Sequence, residues 1–232
     1  MNFTIITGTS RGLGESFFKI LSSKSGYLIS ISRRFSEEQY IIQKSNKKVY
    51  FIHKDLSEIN MPVDELQKIL DKVSLKMVSE VVFINNAAVI DPIGKVGSFT
   101  ENQIYNSLMV NMYASFSISN FLVKLQKINN FNLKILNISS GAAKRSLNGW
   151  AMYCSCKSGT NMFFNVLKQE NNNTLVYNID PGVIDTDMQK KIRETDETNF
   201  PDVTKFKKLK ENNKLQHPDN VAIKIINEYK LC

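Results

Sequence analysis

The feature that most constrains this chain is a repeated alternation of two hydrophobic periods. Apolar runs of five or six residues, bounded by turn residues, take turns with longer stretches of helical spacing. The runs are Phe3–Thr7, Tyr27–Ser32, Val49–His53, Val81–Asn85, Lys134–Ser139 and Thr174–Ile179. They are apolar almost throughout, as strands covered on both faces must be. Between them, helical spacing runs over Leu13–Leu21, Ser36–Gln43, Val63–Val73, Gln103–Lys127 and Ala151–Gln169. Strand, helix, strand, helix predicts an α/β fold: a doubly wound parallel sheet with helices on both faces. No repeat, linker or low-complexity block divides the 232 residues, so one domain over 1–232 is expected. After Pro181 the pattern changes to a polar excursion with short helices at Met188–Arg193 and Val203–Glu211, before a closing helix at Asn220–Tyr229. Ligands of doubly wound sheets bind beyond the C-terminal strand ends. The insertion at about 185–218 is therefore a candidate substrate cover.

The first strand runs into Thr7-Gly8-Thr9-Ser10-Arg11-Gly12-Leu13-Gly14, and a helix follows. Glycines let backbone turn tightly and approach a ligand. The free N–H groups of a helix N-terminus attract a pyrophosphate. A glycine-rich turn alone is a weak signal; placed between the first strand and first helix it reads as a dinucleotide loop of the Rossmann kind. The second strand ends Ser32-Arg33-Arg34, without the acid that would bind a ribose 2′-hydroxyl. Arg33 and Arg34 are candidates to hold the 2′-phosphate of NADP(H), and Arg11 to reach the same phosphate. The plainer reading of the pair is two solvated turn residues.

Tyr153 and Lys157 lie four apart in a helical stretch, which puts them on one face. A phenol with a pKa of about 10 is a poor proton donor or acceptor at neutral pH. A lysine ammonium beside it, with the nicotinamide charge of an oxidised complex, would lower that value. Ser140 leaves a buried strand thirteen residues earlier, and its hydroxyl could hydrogen-bond a substrate carbonyl. Tyr-x-x-x-Lys is common by chance, but its combination with Ser140 and the glycine loop is not.

Taken together, these motifs resemble the short-chain dehydrogenase/reductase family, whose first loop reads Thr-Gly-x-x-x-Gly-x-Gly. The resemblance implies a catalytic tetrad of Asn111, Ser140, Tyr153 and Lys157, with Lys157 holding the nicotinamide ribose and Asn111 completing a proton relay through water. It also implies cofactor contacts at Gly8, Ser10, Arg11, Gly12, Leu13, Gly14, Arg33, Arg34, Asp55, Leu56, Asn85, Ala87, Asn111, Tyr153 and Lys157. Pro181, Gly182, Val183 and Thr186 match the segment that holds the nicotinamide carboxamide. Asn85-Asn86-Ala87-Ala88 departs from the family's Asn-Asn-Ala-Gly at its last position. The stretches Gly149–Cys154 and Pro181–Gln189 are similar to the sepiapterin reductase branch, and Ser139–Lys144 with Ile192-Arg193 to its bacterial benzil reductases. That likeness implies reduction of a ketone or 1,2-diketone with NADPH. Family members usually add a strand after the last helix; here the sequence stops at Cys232, so that strand is expected to be missing. With it goes the C-terminal aspartate that anchors pterins in animal sepiapterin reductases, which favours a general carbonyl reductase over a pterin reductase.

Ser140, Trp150, Tyr153 and Met188 are the candidate substrate contacts, Trp150 and Met188 being equally readable as packing residues. Cys154 and Cys156 read as small packing residues, and His53 and His217 stand too far apart in sequence to suggest a metal. The net charge is +8, but the lysines are scattered, which fits a solvated surface better than a nucleic-acid interface. The start MNFTIITGTS lacks a signal-peptide pattern, and no run approaches about 20 apolar residues. A cytoplasmic protein with no membrane and no nucleic-acid partner is expected, acting on a small-molecule carbonyl compound. The family implies a homodimer. A non-catalytic NADPH-binding protein on the same fold is the principal rival.

Overall fold

The computed structural model describes residues 1–73 and 77–231. Among them, six parallel strands form one sheet in the order β3-β2-β1-β4-β5-β6. These are β1 (Asn2–Thr7), β2 (Tyr27–Ser32), β3 (Val49–His53), β4 (Glu80–Asn85), β5 (Asn132–Ile138) and β6 (Thr174–Ile179). The helices are α1 (Gly12–Leu21), α2 (Glu37–Ser45), α3 (Val63–Asp71), α4 (Glu101–Leu108), α5 (Ala114–Asn129), α6 (Ala151–Glu170), α7 (Asp187–Glu194), α8 (Val203–Glu211) and α9 (Pro218–Glu228). Every strand follows its predicted run within two residues.

Alternate residues of a strand face opposite sides, and the core divides accordingly. Ile5, Phe83 and Ile135 pack with Leu66 of α3, Ile118 and Leu122 of α5 and Phe164 of α6. Ile6, Ile84 and Leu136 pack on the other side with Phe17 and Phe18 of α1 and with Val221 and Ile225 of α9. Strand order reverses between β1 and β4. The crevice beyond their ends is where a doubly wound sheet takes its ligand.

The predicted single helix over Gln103–Lys127 is a correction. It starts at Glu101 behind a Thr100–Gln103 capping box and ends at Asn129, and a π-helical turn at Met109–Tyr113 separates α4 from α5. That turn contains Asn111. The insertion folds as predicted into two short helices, tied to the sheet end by a bridge between Ile184 and Gln216.

Candidate active site

The glycine loop leaves β1 under several constraints. Gly8 adopts φ +73°, and its N–H donates to the Ile31 carbonyl of β2. A Cβ at Gly14 would stand 2.0 Å from the Gly8 carbonyl oxygen, so the helix can start here only on glycine. Thr9 anchors the centre of the loop: its N–H donates to Ser32 Oγ, its hydroxyl accepts from Ser30, and its carbonyl accepts from Gln39 of α2. Asn86 holds the other side, donating to the Thr7 and Gly8 carbonyls. Thr9, Ser30, Ser32, Gln39 and Asn86 are supports that the sequence reading missed, because each partner lies on a different element. The result leaves Ser10 and Arg11 exposed beside the N-terminus of α1.

Arg11 does not point freely towards a 2′-phosphate. Its guanidinium pairs with Asp187 at the start of α7, 3.1 Å away. Arg33 lies 3.5 Å from Asp55 at the end of β3, and Arg34 is exposed. Hydrogen bonds from the Ser57 N–H and hydroxyl, with the Arg33 charge, outweigh partial burial and hold the Asp55 carboxyl below its ordinary value. Leu56 is buried in the core beneath it. A Cβ on Gly12 would touch Thr186 Cγ2 at 3.1 Å, so the loop and the Pro181–Thr186 segment converge on one crevice. Thr186 caps α7, accepting from the Gln189 N–H, and the Val183 carbonyl accepts from Gln216. The half-buried Ala87 N–H donates to Thr7 Oγ1, and Ala88 is also half-buried.

The Asn85 side chain is held within the sheet. It is buried, donating to Asn137 Oδ1 and accepting from Ser115. Asn85, Asn137 and Asn178 occupy the same register on β4, β5 and β6, and Asn161 of α6 joins them through Asn137 and Ser139. This amide chain satisfies polar groups that would otherwise be buried without partners.

The tetrad residues gather at the C-terminal end of β5. Ser140 Oγ accepts from the Ala142 N–H and lies near the Tyr153 phenol, opposing part of the phenol's shift. Lys157 Nζ donates to the Ile138 carbonyl at 2.7 Å and stands 5.7 Å from the Tyr153 ring centroid. In the protein alone, Lys157 is not among the groups that set the Tyr153 phenol. Burial dominates, pushing Tyr153 up to about 12, with smaller upward contributions from Asp180 and Cys154. Burial likewise pulls Lys157 down to about 8. Asn111 makes no direct hydrogen bond to Lys157. Its side chain clamps the Val89 backbone at both N–H and carbonyl, and its own carbonyl accepts from Thr160 on α6. The π turn exposes that carbonyl towards α6, a deformation common at functional sites.

Trp150 is 4% exposed and already packed on three sides. Phe200 stacks on it at 4.6 Å, Tyr153 meets it edge-on at 5.7 Å and Phe206 lies at 5.3 Å. The half-buried Met188 leans on the same cluster. Both residues pack in this cluster, and α7 and α8 lie down over the tyrosine. Cys156 is fully buried against Ser107. Among the described residues, no group of three His, Cys, Asp or Glu side chains could hold a metal, and no helix is long and apolar enough to cross a membrane.

The crevice suits a nicotinamide dinucleotide: glycines that no Cβ could replace, a helix N-terminus facing it, and Tyr153 and Lys157 at its far end. Comparison with known proteins agrees. The short chain dehydrogenase family model matches residues 2–197. The chain is 33% identical to a benzil reductase ((S)-benzoin forming) of Bacillus cereus, over 98% of this chain and 93% of the relative. It is 26% identical to sepiapterin reductase of Bos taurus over 82% of this chain and 76% of the relative. Among solved structures, the KRED1-Pglu enzyme superposes with a TM-score of 0.79 at 26% identity, covering 96% of this chain and 92% of the other. By its sequence, its fold and the residues at its crevice, this chain belongs to the short-chain dehydrogenase family of oxidoreductases.

Proposed function

We infer that the protein reduces a ketone or 1,2-diketone to the alcohol with NADPH, a reaction of the benzil to (S)-benzoin type. The observation that carries this reading is the buried, neutral Tyr153 phenol beside the Ser140 hydroxyl, with Lys157 behind it. When bound, the cofactor supplies a hydride to the carbonyl carbon. The chain supplies the rest. Ser140 and Tyr153 hydrogen-bond the substrate oxygen, and Tyr153 gives its phenolic proton to that oxygen as it gains charge. Lys157 bears on the phenolate left behind and, with Asn111 and Thr160 ordering the back of α6, supports its reprotonation. A phenol with a pKa near 12 holds its proton throughout the neutral range, as a donor in the reductive direction must.

Two exposed arginines at the end of β2, with no acid there, support NADPH over NADH. A homodimer through α4, α5 and α6 is supported by apolar side chains left in solvent on α4 (Tyr105, Leu108), on the π turn that leads into α5 (Tyr113) and on α6 (Met162, Val166). The first test is nicotinamide oxidation followed by absorbance, with benzil as substrate. Turnover with NADPH well above that with NADH is expected. Binding of NADPH without turnover of any diketone would instead favour a non-catalytic sensor.

A further inference from the structure

The strand ends beside the tyrosine carry a carboxylate that the reaction itself does not require. Register pairs Ile138 of β5 with Ile179 of β6, and the Ser139 N–H donates to the Ile179 carbonyl at 2.7 Å. Asp180 therefore leaves β6 beside Ser139, one residue before Ser140, on strands about 4.8 Å apart. Its Oδ1 accepts from the Gly182 N–H at 3.1 Å, which fixes the carboxylate rather than leaving it to swing. Its Oδ2 stands 3.3 Å from where a Cβ on Gly141 would be, one residue past the catalytic serine. The same charge raises the pKa of the Tyr153 phenol, as a close anion should.

The other carboxylates around this rim are spent on the fold. Asp91 pairs with Lys191, Asp187 with Arg11, and Asp185 with Arg193 and Lys210. Asp180 has no such partner among the described residues. The exposed Arg145 guanidinium comes near Gly141, at 3.6 Å from the same Cβ position, but forms no ion pair with it. An exposed anion held beside Gly141, one residue past Ser140, in a chain of net charge +8, is a selective contact for a cation.

We propose that Asp180 is a specificity-determining residue that selects carbonyl substrates bearing a cationic nitrogen within a few bonds of the reacting C=O. The class is the amino ketones. This rests on the carbonyl-reductase reading above and narrows its substrate. The cation lies against Asp180 Oδ2 while the carbonyl oxygen lies between Ser140 and Tyr153, so one contact orients the other. Neutral diketones are bound without that anchor.

The test uses two ketones of matched shape, phenacyltrimethylammonium and neopentyl phenyl ketone, with the full chain and NADPH. Asp180→Asn keeps the acceptor for the Gly182 N–H and removes only the charge. It is expected to lower kcat/KM for the cation about tenfold, as loss of one partly solvated charge contact does, and to change the neutral ketone by less than about twofold. An equal change for both ketones overturns the proposal, because Asp180 would then act on the tyrosine or the cofactor. Calorimetry of the cation binding to the NADP-loaded protein separates this from the parent reading. If neither ketone turns over, carbonyl reduction fails. The proposal then stands on about tenfold weaker binding of the cation to Asp180→Asn, and equal binding overturns it.

Discussion

At the scale of single residues, the site is governed by burial. Tyr153 and Lys157 are an acid and a base from which water is excluded, and both shift towards their neutral forms. The shift of Lys157 carries a sign for stability. An unfolded lysine titrates near 10.5, whereas here it titrates near 8. Between these values the unfolded chain binds more protons than the folded one, so stability rises with pH across that window. Tyr153 opposes the trend only above about 10, where an unfolded tyrosine loses its proton and the folded one keeps it. Denaturant unfolding from pH 8 to 10 is expected to show this rise in the wild type and a flatter profile in Lys157→Met. A parallel rise in both proteins would assign it to other groups. The grouping of Ser140, Tyr153 and Lys157 was legible from spacing and resemblance. The direction of the tyrosine shift was not, because charge neighbours can be guessed from sequence while burial depends on Trp150, Phe200 and the covering helices.

At the scale of elements, the strands were legible because both of their faces are apolar, and the glycine loop because its spacing is rare. Two features were hidden. The π turn around Asn111 has no compositional mark, since it differs from an α-helix only in which carbonyl each N–H reaches. The asparagine chain across β4, β5 and β6 exists only once the register is set, so the part Asn85 plays in it could not be read from its own segment. The junction of β1 with α1 gives the sharpest prediction here. Gly14→Ala places a methyl 2.0 Å from the Gly8 carbonyl oxygen, and relief requires the loop to move away from the crevice. Loss of about 1–3 kcal/mol of stability is expected, as for other overpacked sites, together with weaker NADPH binding. Thermal melts with and without the cofactor would check both. A variant that melts and binds like the wild type would show that this approach is not tight in solution.

At the scale of the molecule, two regions come together that the sequence keeps apart. The dinucleotide crevice belongs to the sheet. The cover over Tyr153 belongs to α7 and α8, which close on it through Ile192, Phe200 and Val203. The insertion was recognisable as a cover by its position after the last strand, but its use of Trp150 as a packing post was not, since the partners lie some fifty residues on. The outer faces of α4, α5 and α6 make the remaining prediction. If they are the dimer contact, Leu108→Glu with Met162→Glu places four charges across a two-fold interface. Sedimentation should then change from dimer to monomer with the fold retained by circular dichroism. A wild type that sediments as a monomer would contradict the assignment.

All of these levels converge on the phenolic proton of Tyr153. Single-turnover oxidation of bound NADPH by a diketone tests it most directly, with the wild type and Tyr153→Phe compared at equal cofactor occupancy. The substitution removes one oxygen and leaves the ring against Trp150. Unchanged NADPH affinity is expected, with hydride transfer slowed by a factor of about 10²–10⁴, the usual contribution of a positioned proton donor. Hydride transfer in Tyr153→Phe within about threefold of the wild-type rate would contradict it, because a general acid contributes far more than that.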